Sequence, residues 1–249
     1  MSPIISSVNQ SFGFATTSPK IVTNGLVLYL DAGQSTSYNG GSTWTDLSGQ
    51  GNNGSLVNGP TYNSSNGGYI AFDGVNDRCV ISVPELSNQE FSADFFIYPT
   101  ANSGVNDLET IICKFHASNQ WNFRLAIGAF STVSRTLGVS VRDRNNNSAG
   151  TTGGELNLNQ WYHITFSIKE LDVIKLYLDG SLVGTSSTMT FSMPPNITND
   201  VYVCSSDVSI DGSRFYGGMR ISNFRLYNKV ISAQEVQKNF NALRGRFGI

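Results

Sequence analysis

Charge is what this sequence has least of. Only 14% of its 249 residues are Asp, Glu, Lys or Arg, against roughly 25% in an average soluble domain. The net balance is −2, and the few clustered cations (Lys238, Arg244 and Arg246) stand near the C-terminal end. Tight association with nucleic acid works by releasing counterions from the phosphate backbone to a basic stripe. No such stripe exists here, so nucleic acid is not expected as a partner. Histidine is scarce too: His116 and His163 have no partner pattern around them, and a metal site needs several convergent ligands. No metal centre is expected. His163 alternates with Tyr162 and Ile164, which suits a structural role on the opposite face.

Cysteine is limited to Cys79, Cys113 and Cys204, each inside an apolar run. An odd count without short spacings argues against a disulfide framework or a zinc site, so these read as small buried hydrophobes. Long apolar runs are missing as well. Nothing approaches the about 20 residues of a membrane span, and membrane insertion is not expected. Residues 1–30 lack the charged-then-apolar layout of a signal peptide, so synthesis in a cytoplasm, with release by lysis, is the expectation.

What is present is turn chemistry and aromatic bulk. There are 25 Gly, and aromatics reach 11%, ample for a core. From Gly25 onward, short apolar runs alternate with turn signals, the pattern of a sandwich or barrel. Phe91, Ala93, Phe95 and Ile97 share one face at period two, as do Trp121, Phe123, Leu125 and Ile127, and Leu137, Val139 and Val141. A hairpin is expected from Trp161 to Val183: Tyr162, Ile164, Phe166 and Ile168 face one way, and Ile174, Leu176 and Leu178 answer them. Asp179-Gly180 is a strong tight-turn signal, because both positions need positive φ. Between Met219 and Tyr227 the phase changes, and one extra residue near Ser222-Asn223 would restore it, which predicts a β-bulge. One helix is expected at about 233–244. Ser232 and Glu235 form a capping box, Ile231 and Val236 a hydrophobic staple, and Val236, Phe240 and Leu243 the docking stripe, with Gly245 as terminator.

Several motifs tempt. Gly49-Gln50-Gly51-Asn52-Asn53-Gly54 spells the dinucleotide fingerprint, but no helix follows to hold a pyrophosphate, so it reads as a glycine loop. Glu170-Leu171-Asp172-Val173-Ile174-Lys175 resembles the signature of laminarinase-type β-glucanases. Hydrolysis with retention needs two carboxylates, and Lys175 stands where the second belongs, so catalysis is not expected. Asp143-Arg144-Asn145-Asn146-Asn147-Ser148 looks like half of a calcium loop. It lacks the glycine and the bidentate glutamate of an EF-hand, and reads as a solvated turn that leaves room for a weak loop calcium site only. No other cofactor is expected.

Gln160-Trp161-Tyr162-His163-Ile164, then Lys175 to Val183, resembles the central hairpin of LamG-like jelly rolls. Phe72-Asp73-Gly74-Val75-Asn76-Asp77, Phe91 to Pro99, and Gly218 to Tyr227 followed by Ile231-Ser232-Ala233-Gln234-Glu235 resemble further elements of that family in the right order. The resemblance implies an all-β, two-sheet antiparallel β-sandwich of the concanavalin A-like jelly-roll kind over residues 25–249, ending in one short helix. It departs from the family at Ser222, where an acidic residue is common, which weakens any inherited calcium site. Gly25 to Gly33, Trp44 to Gly49, Asn58 to Tyr62 and Asn239 to Ile249 resemble LamG-like structural proteins of tailed bacteriophages, marine and cyanobacterial ones in particular. That narrower resemblance implies a virion component, either a capsid decoration or a tail or fibre protein. The partners it implies are other virion proteins, further copies of the chain and a host-surface glycan.

Residues 1–24 are expected to form an extended arm whose Ile4, Ile5, Phe12 and Phe14 dock on another subunit. Long loops commonly carry binding, so the glycan-binding candidates are Tyr38, Trp44, Tyr62, Asp143 and Asn145. Trp121 and Trp161 look like core. The alternatives are a free-standing lectin or adhesin, and, with less support, a glycoside hydrolase.

Overall fold

A computed structural model describes residues 20–84, 86, 89–100, 109–117, 120–128, 135–193, 200–205 and 217–249. The arm candidates Ile4, Ile5, Phe12 and Phe14 lie outside them, as does the side chain of Trp121.

The chain runs through β1 (Leu26–Asp31), β2 (Thr43–Trp44), β3 (Gly54–Val57), β4 (Thr61–Asn63), β5 (Tyr69–Asp73) and β6 (Arg78–Ser82). Longer strands follow: β7 (Glu90–Pro99), β8 (Glu109–Ala117), β9 (Gln120–Ile127), β10 (Thr136–Arg142) and β11 (Ser148–Glu155). Then come β12 (Tyr162–Lys169), β13 (Lys175–Leu178), β14 (Ser181–Thr185), β15 (Asp200–Val203), β16 (Gly218–Tyr227) and the helix α1 (Ala233–Leu243). They form two 8-stranded antiparallel sheets. Sheet A has the order β14-β13-β12-β7-β16-β5-β4, with β1 also on β16, and sheet B the order β11-β10-β9-β8-β15-β6-β3-β2. No helix among the described residues is long and apolar enough to cross a membrane.

The period-two rows meet in one core. Phe91, Ala93, Phe95 and Ile97 from β7 pack with Phe123, Leu125 and Ile127 from β9, Leu137, Val139 and Val141 from β10, and Ile164, Phe166 and Ile168 from β12. Cys79, Cys113 and Cys204 are all buried with free thiols. Asp179 (φ 48) and Gly180 (φ 79) make the tight β13–β14 turn. The register of β16 against β7 slips between Ile221 and Asn223, so the bulge sits where the phase change put it. The slip has a second consequence. One flank of β16 pairs β5 through Gly218–Ile221 and then β1 through Asn223–Tyr227, so the bulge marks the handover. Ser222 holds the junction: its carbonyl accepts from Ala32 N–H, and its hydroxyl donates to the Gly68 carbonyl.

The capping box is formed, Ser232 Oγ accepting from Glu235 N–H and Glu235 Oε2 from Ser232 N–H, a device worth about 1 kcal/mol. Gly245 does not terminate the helix as expected. α1 stops at Leu243 and tightens into a 3-10 turn over Arg244–Arg246, which engages orphan terminal carbonyls without a left-handed glycine. The tail then turns back. Arg246 reaches Asp31 at 2.8 Å, the carbonyls of Gly67 and Gly68, and Ser222 Oγ. At the other end of the described chain, Val22 is buried, its N–H donating to Asn239 Oδ1 and its carbonyl accepting from Tyr227 Oη.

Helix, tail and Val22 together cover the outer face of the central strands of sheet A, so β7, β12 and β16 are buried on both faces. Asp94, His163, Thr165 and Arg225, which alternate with the core residues, are completely shielded from solvent there. The Asp94 carboxylate accepts from Arg225 Nε (2.8 Å) and Nη2, from Thr165 Oγ1 (3.0 Å) and from Asn239 Nδ2 (3.1 Å), and meets His163 Nε2 at 3.0 Å. Burial alone would push its pKa up. The Arg225 guanidinium and His163 reverse this and hold the carboxyl below the usual carboxylate range.

Two predictions follow from this interior. Asp94→Ala leaves Arg225 buried without its counter-charge and is expected to lower stability by about 3–5 kcal/mol, read by chemical denaturation. A depressed carboxylate stabilises fully above its unfolded pKa of about 3.9 and loses that contribution as pH falls towards the folded value, so the difference between wild type and variant shrinks only in strong acid. Lys114 is the converse case. It is 1% exposed, its Nζ has no hydrogen-bond partner among the described residues, and burial lowers its pKa to about 8 despite Asp200 nearby. Between about 8 and the ordinary 10.5 the unfolded chain holds a proton that the folded one has released, so stability rises with pH in that window. Lys114→Met is expected to raise stability by about 1–3 kcal/mol at neutral pH and to abolish that rise in pH-dependent melts.

Candidate functional site

At the β11 end of sheet B, three strands present polar residues on the side away from the core. On β9, Arg124 alternates with Phe123 and Leu125; on β10, Ser140 and Arg142 alternate with Val139 and Val141. Cross-strand register lines them up: Arg124 opposes Ser140, Ser140 opposes Gly150, and Arg142 opposes Ser148. A cleft of about 340 Å³ opens over this grid, bounded by Arg124, Ser140, Arg142, Ser148 and the run Ala149 to Thr152. Gly150 helps to make it, because a Cβ there would stand 2.8 Å from the Val139 carbonyl and 3.1 Å from Ser140 Cβ. Its missing side chain leaves the floor open. The lining brings together the guanidinium groups of Arg124 and Arg142 and, on the same outward rows, the hydroxyls of Ser140, Ser148 and Thr152, which can both donate and accept.

The loop that joins β10 to β11 contains two of the residues singled out in the sequence. Asp143 closes the hairpin: its Oδ1 accepts from the N–H groups of Asn145 (2.9 Å) and Asn147 (2.8 Å), and its Oδ2 from Asn147 Nδ2 (2.8 Å). Asn146 takes the left-handed conformation at φ 69. The carboxylate is therefore engaged by its own turn, and the half calcium loop is a hairpin closure. Among the described residues no group of three or more His, Cys, Asp or Glu side chains could hold a metal ion. Asn145 is exposed at this hairpin tip.

The aromatic candidates lie elsewhere. Trp44 is 1% exposed, on β2 within the main core; it is no rim platform, because β2 turns the indole inward beside Gly54. Tyr38 is also buried, its hydroxyl donating to the Gly41 carbonyl at 2.9 Å. Only Tyr62, on the edge strand β4, is open, at 46%, with its ring 5.3 Å from that of Tyr38. β4 and β2 end their sheets on the side opposite to β14 and β11, so the structure separates the tyrosine pair from the cleft. Trp161 is buried as expected, but in a separate cluster on the outer face of sheet A, with Tyr69, Phe96, Phe240 and Phe247.

The remaining motifs resolve into structure. In the glycine loop, Asp46 accepts from the N–H groups of Tyr29, Ser48 and Asn52, an arrangement that binds the loop to itself. Glu170 and Asp172 flank the β12–β13 turn, Glu170 accepting from Met193 N–H at 3.1 Å. A second, smaller cleft of about 290 Å³ includes Asp73 and Asp77. Burial raises the Asp73 pKa, but the N–H groups of Val75, Asn76 and Asp77 more than offset it and lower the carboxyl overall. Asp77 is raised by burial while accepting from Asp73 N–H. This pair caps its own turn.

A model of the concanavalin A-like lectin/glucanases superfamily matches residues 65–237. The chain belongs to that superfamily. Its span runs from just before β5 into α1 and so includes the strands of the cleft. No curated protein matches this chain. Among solved structures, the superfamily fold is shared with the binding domain of botulinum neurotoxin DC in complex with SialylT (TM-score 0.67, 14% identity, 89% of this chain and 52% of that one). It is shared also with the receptor binding domain of botulinum neurotoxin type G (TM-score 0.63, 18% identity, 87% and 51%). The chain thus spans about half the length of these structures. At such identities the likeness concerns the fold.

The corrected placement of the aromatics is open to direct measurement. Trp44→Ala is expected to cost about 3–5 kcal/mol of stability through the cavity it leaves. Tyr62→Ala, at the surface, should cost about 1 kcal/mol or less. Urea titration of both variants checks the ranking; equal effects would return Trp44 to the rim.

Proposed function

We propose that this chain is a non-catalytic, carbohydrate-binding component of a tailed-phage virion, which meets a host-surface glycan through the β9–β11 cleft. The observation that carries the binding half is the hydroxyl- and guanidinium-lined cleft in a chain of the concanavalin A-like lectin/glucanases superfamily. Sugar recognition is hydrogen-bond exchange with hydroxyl groups, and a pre-formed cleft of this volume lies within the about 300–1,000 Å³ range of small-ligand sites. The lining includes no carboxylate, and glycoside hydrolysis calls for a pair of them, which favours binding over cleavage.

The virion half rests on the resemblance of residues 25–33, 44–49, 58–62 and 239–249 to LamG-like phage structural proteins. In this reading residues 1–24 are the anchor, with Ile4, Ile5, Phe12 and Phe14 docking on neighbouring virion subunits. Display in many copies would turn a weak contact into a firm one through avidity.

The test has two arms. On a glycan array the full chain is expected to bind, and Thr152→Trp, which fills the cleft from an exposed strand position, should abolish binding while shifting Tm by about 2 °C or less. A blank array, or binding that survives the substitution, would overturn the cleft as the contact surface. Mass spectrometry and immuno-electron microscopy of purified particles should find the protein on virions. Its absence there would reduce the reading to a free-standing lectin.

A further inference from the structure

The two arginines of the cleft narrow its ligand, and this step rests on the carbohydrate reading above. A chain with 16 Lys and Arg among 249 residues places two guanidinium groups in one cleft of about 340 Å³. Because Arg124 opposes Ser140, Arg142 is its diagonal neighbour on the adjacent strand, and diagonal positions on one face of a sheet lie about 7–8 Å apart. Two forks at that spacing can approach one small anion from two sides. Both arginines are half-buried, so their field is screened less than that of a fully exposed cation.

The rest of the lining adds groups that a sugar ring can meet. Ser148 and Thr152 are exposed beside the arginines, and Gly150 leaves a flat opening between them, which matches hydroxyls and a ring face. We propose that the cleft recognises an acidic sugar, whose anionic group sits between Arg124 and Arg142 while its ring hydroxyls meet Ser148 and Thr152. The shared chemistry is a planar or tetrahedral oxyanion on a pyranose. A carboxylate is favoured because it accepts the guanidinium fork in bidentate fashion; a sulfate ester is the other source. The modest volume suits a terminal unit.

Binding of the full chain to oligogalacturonate and to 3′-sialyllactose would be measured beside carboxyl-reduced forms of each and a sulfated galactan. The acid forms are expected to bind about tenfold or more tighter than their reduced counterparts, with affinity falling as salt rises from about 0.01 M to 0.15 M. Arg124→Gln with Arg142→Gln should erase the preference, and Arg124→Lys with Arg142→Lys, which keeps both charges, should retain part of it. Circular-dichroism melts confirm that each variant is folded, and the lysine pair serves as the readout if the glutamine pair is not. Tightest binding of the sulfated glycan with the same arginine dependence supports the anion site and assigns sulfate as its source. Equal binding of acid and reduced forms, or a preference that survives the glutamine pair, overturns the inference and leaves the carbohydrate reading standing. No binding of any glycan, here or on the array, overturns both.

Discussion

The Asp94–Arg225 pair is the contact on which the arrangement of this sandwich turns. It joins β7 to β16 at the centre of sheet A, and Asp94 also gathers His163 and Thr165 from β12 and Asn239 from α1. A charge pair taken out of water holds together only when nearly every lone pair and proton finds a partner. That condition ties the helix to the sheet. Asn239 gives one amide hydrogen to Asp94, shares Tyr227 Oη, and accepts from Val22 N–H, so the entering segment, the last strand and the helix meet at one amide. Hydrophobic docking alone would let α1 slide along the sheet, since apolar contact has no direction. The polar cluster fixes where it sits.

Covering sheet A in this way decides where ligand chemistry can occur. Its outer face is committed to α1, Val22 and the returning tail, with Arg246 fastened to Asp31, Ser222 and the Gly67–Gly68 turn. The β9–β11 end of sheet B carries instead guanidinium and hydroxyl groups beside a hairpin tip where Asn145 is exposed. Ser222 belongs to the first of these regions. Its hydroxyl joins the Gly68 carbonyl to the tail arginine, so it takes part in holding the tail.

The fold was legible wherever local pattern and global packing coincide. Phe91 to Ile97 alternate because one face meets the core; the Ser222 bulge shows as a broken parity; Ser232 and Glu235 spell a cap that needs nothing beyond its own turn. What the pattern cannot report is what covers the second face. Asp94, His163 and Arg225 alternate with buried residues and so belong on the opposite side, yet their burial depends on a helix more than a hundred residues downstream of Asp94. Trp44 was misplaced for a related reason. A two-residue strand between glycine-rich loops has no period to read, so its indole resembled a rim aromatic. The cleft was half visible: Asp143 and Asn145 mark its hairpin, and Arg124 and Arg142 could have been found as the outward members of rows whose inward members were already assigned. β11 itself, Ser-Ala-Gly-Thr-Thr-Gly-Gly-Glu, is poor in strand-forming residues and reads as a turn until its pairing with β10 is seen.

The glycines of that weak strand have a packing role. A Cβ at Gly153 would collide with the Val183 carbonyl of β14, and one at Gly184 would stand 2.7 Å from Thr151 Oγ1. The edges of the two sheets can therefore approach only because both positions lack side chains. Edge strands with free N–H and C=O groups invite pairing with other chains, and bringing β11 against β14 shields both. The same strand uses Gly150 to leave the cleft open. Closing the sandwich and opening the cleft thus both ask β11 for small residues, Gly153 on the side of β14 and Gly150 on the side of the cleft, and the low strand propensity that hides it from sequence inspection is the physical consequence of meeting both.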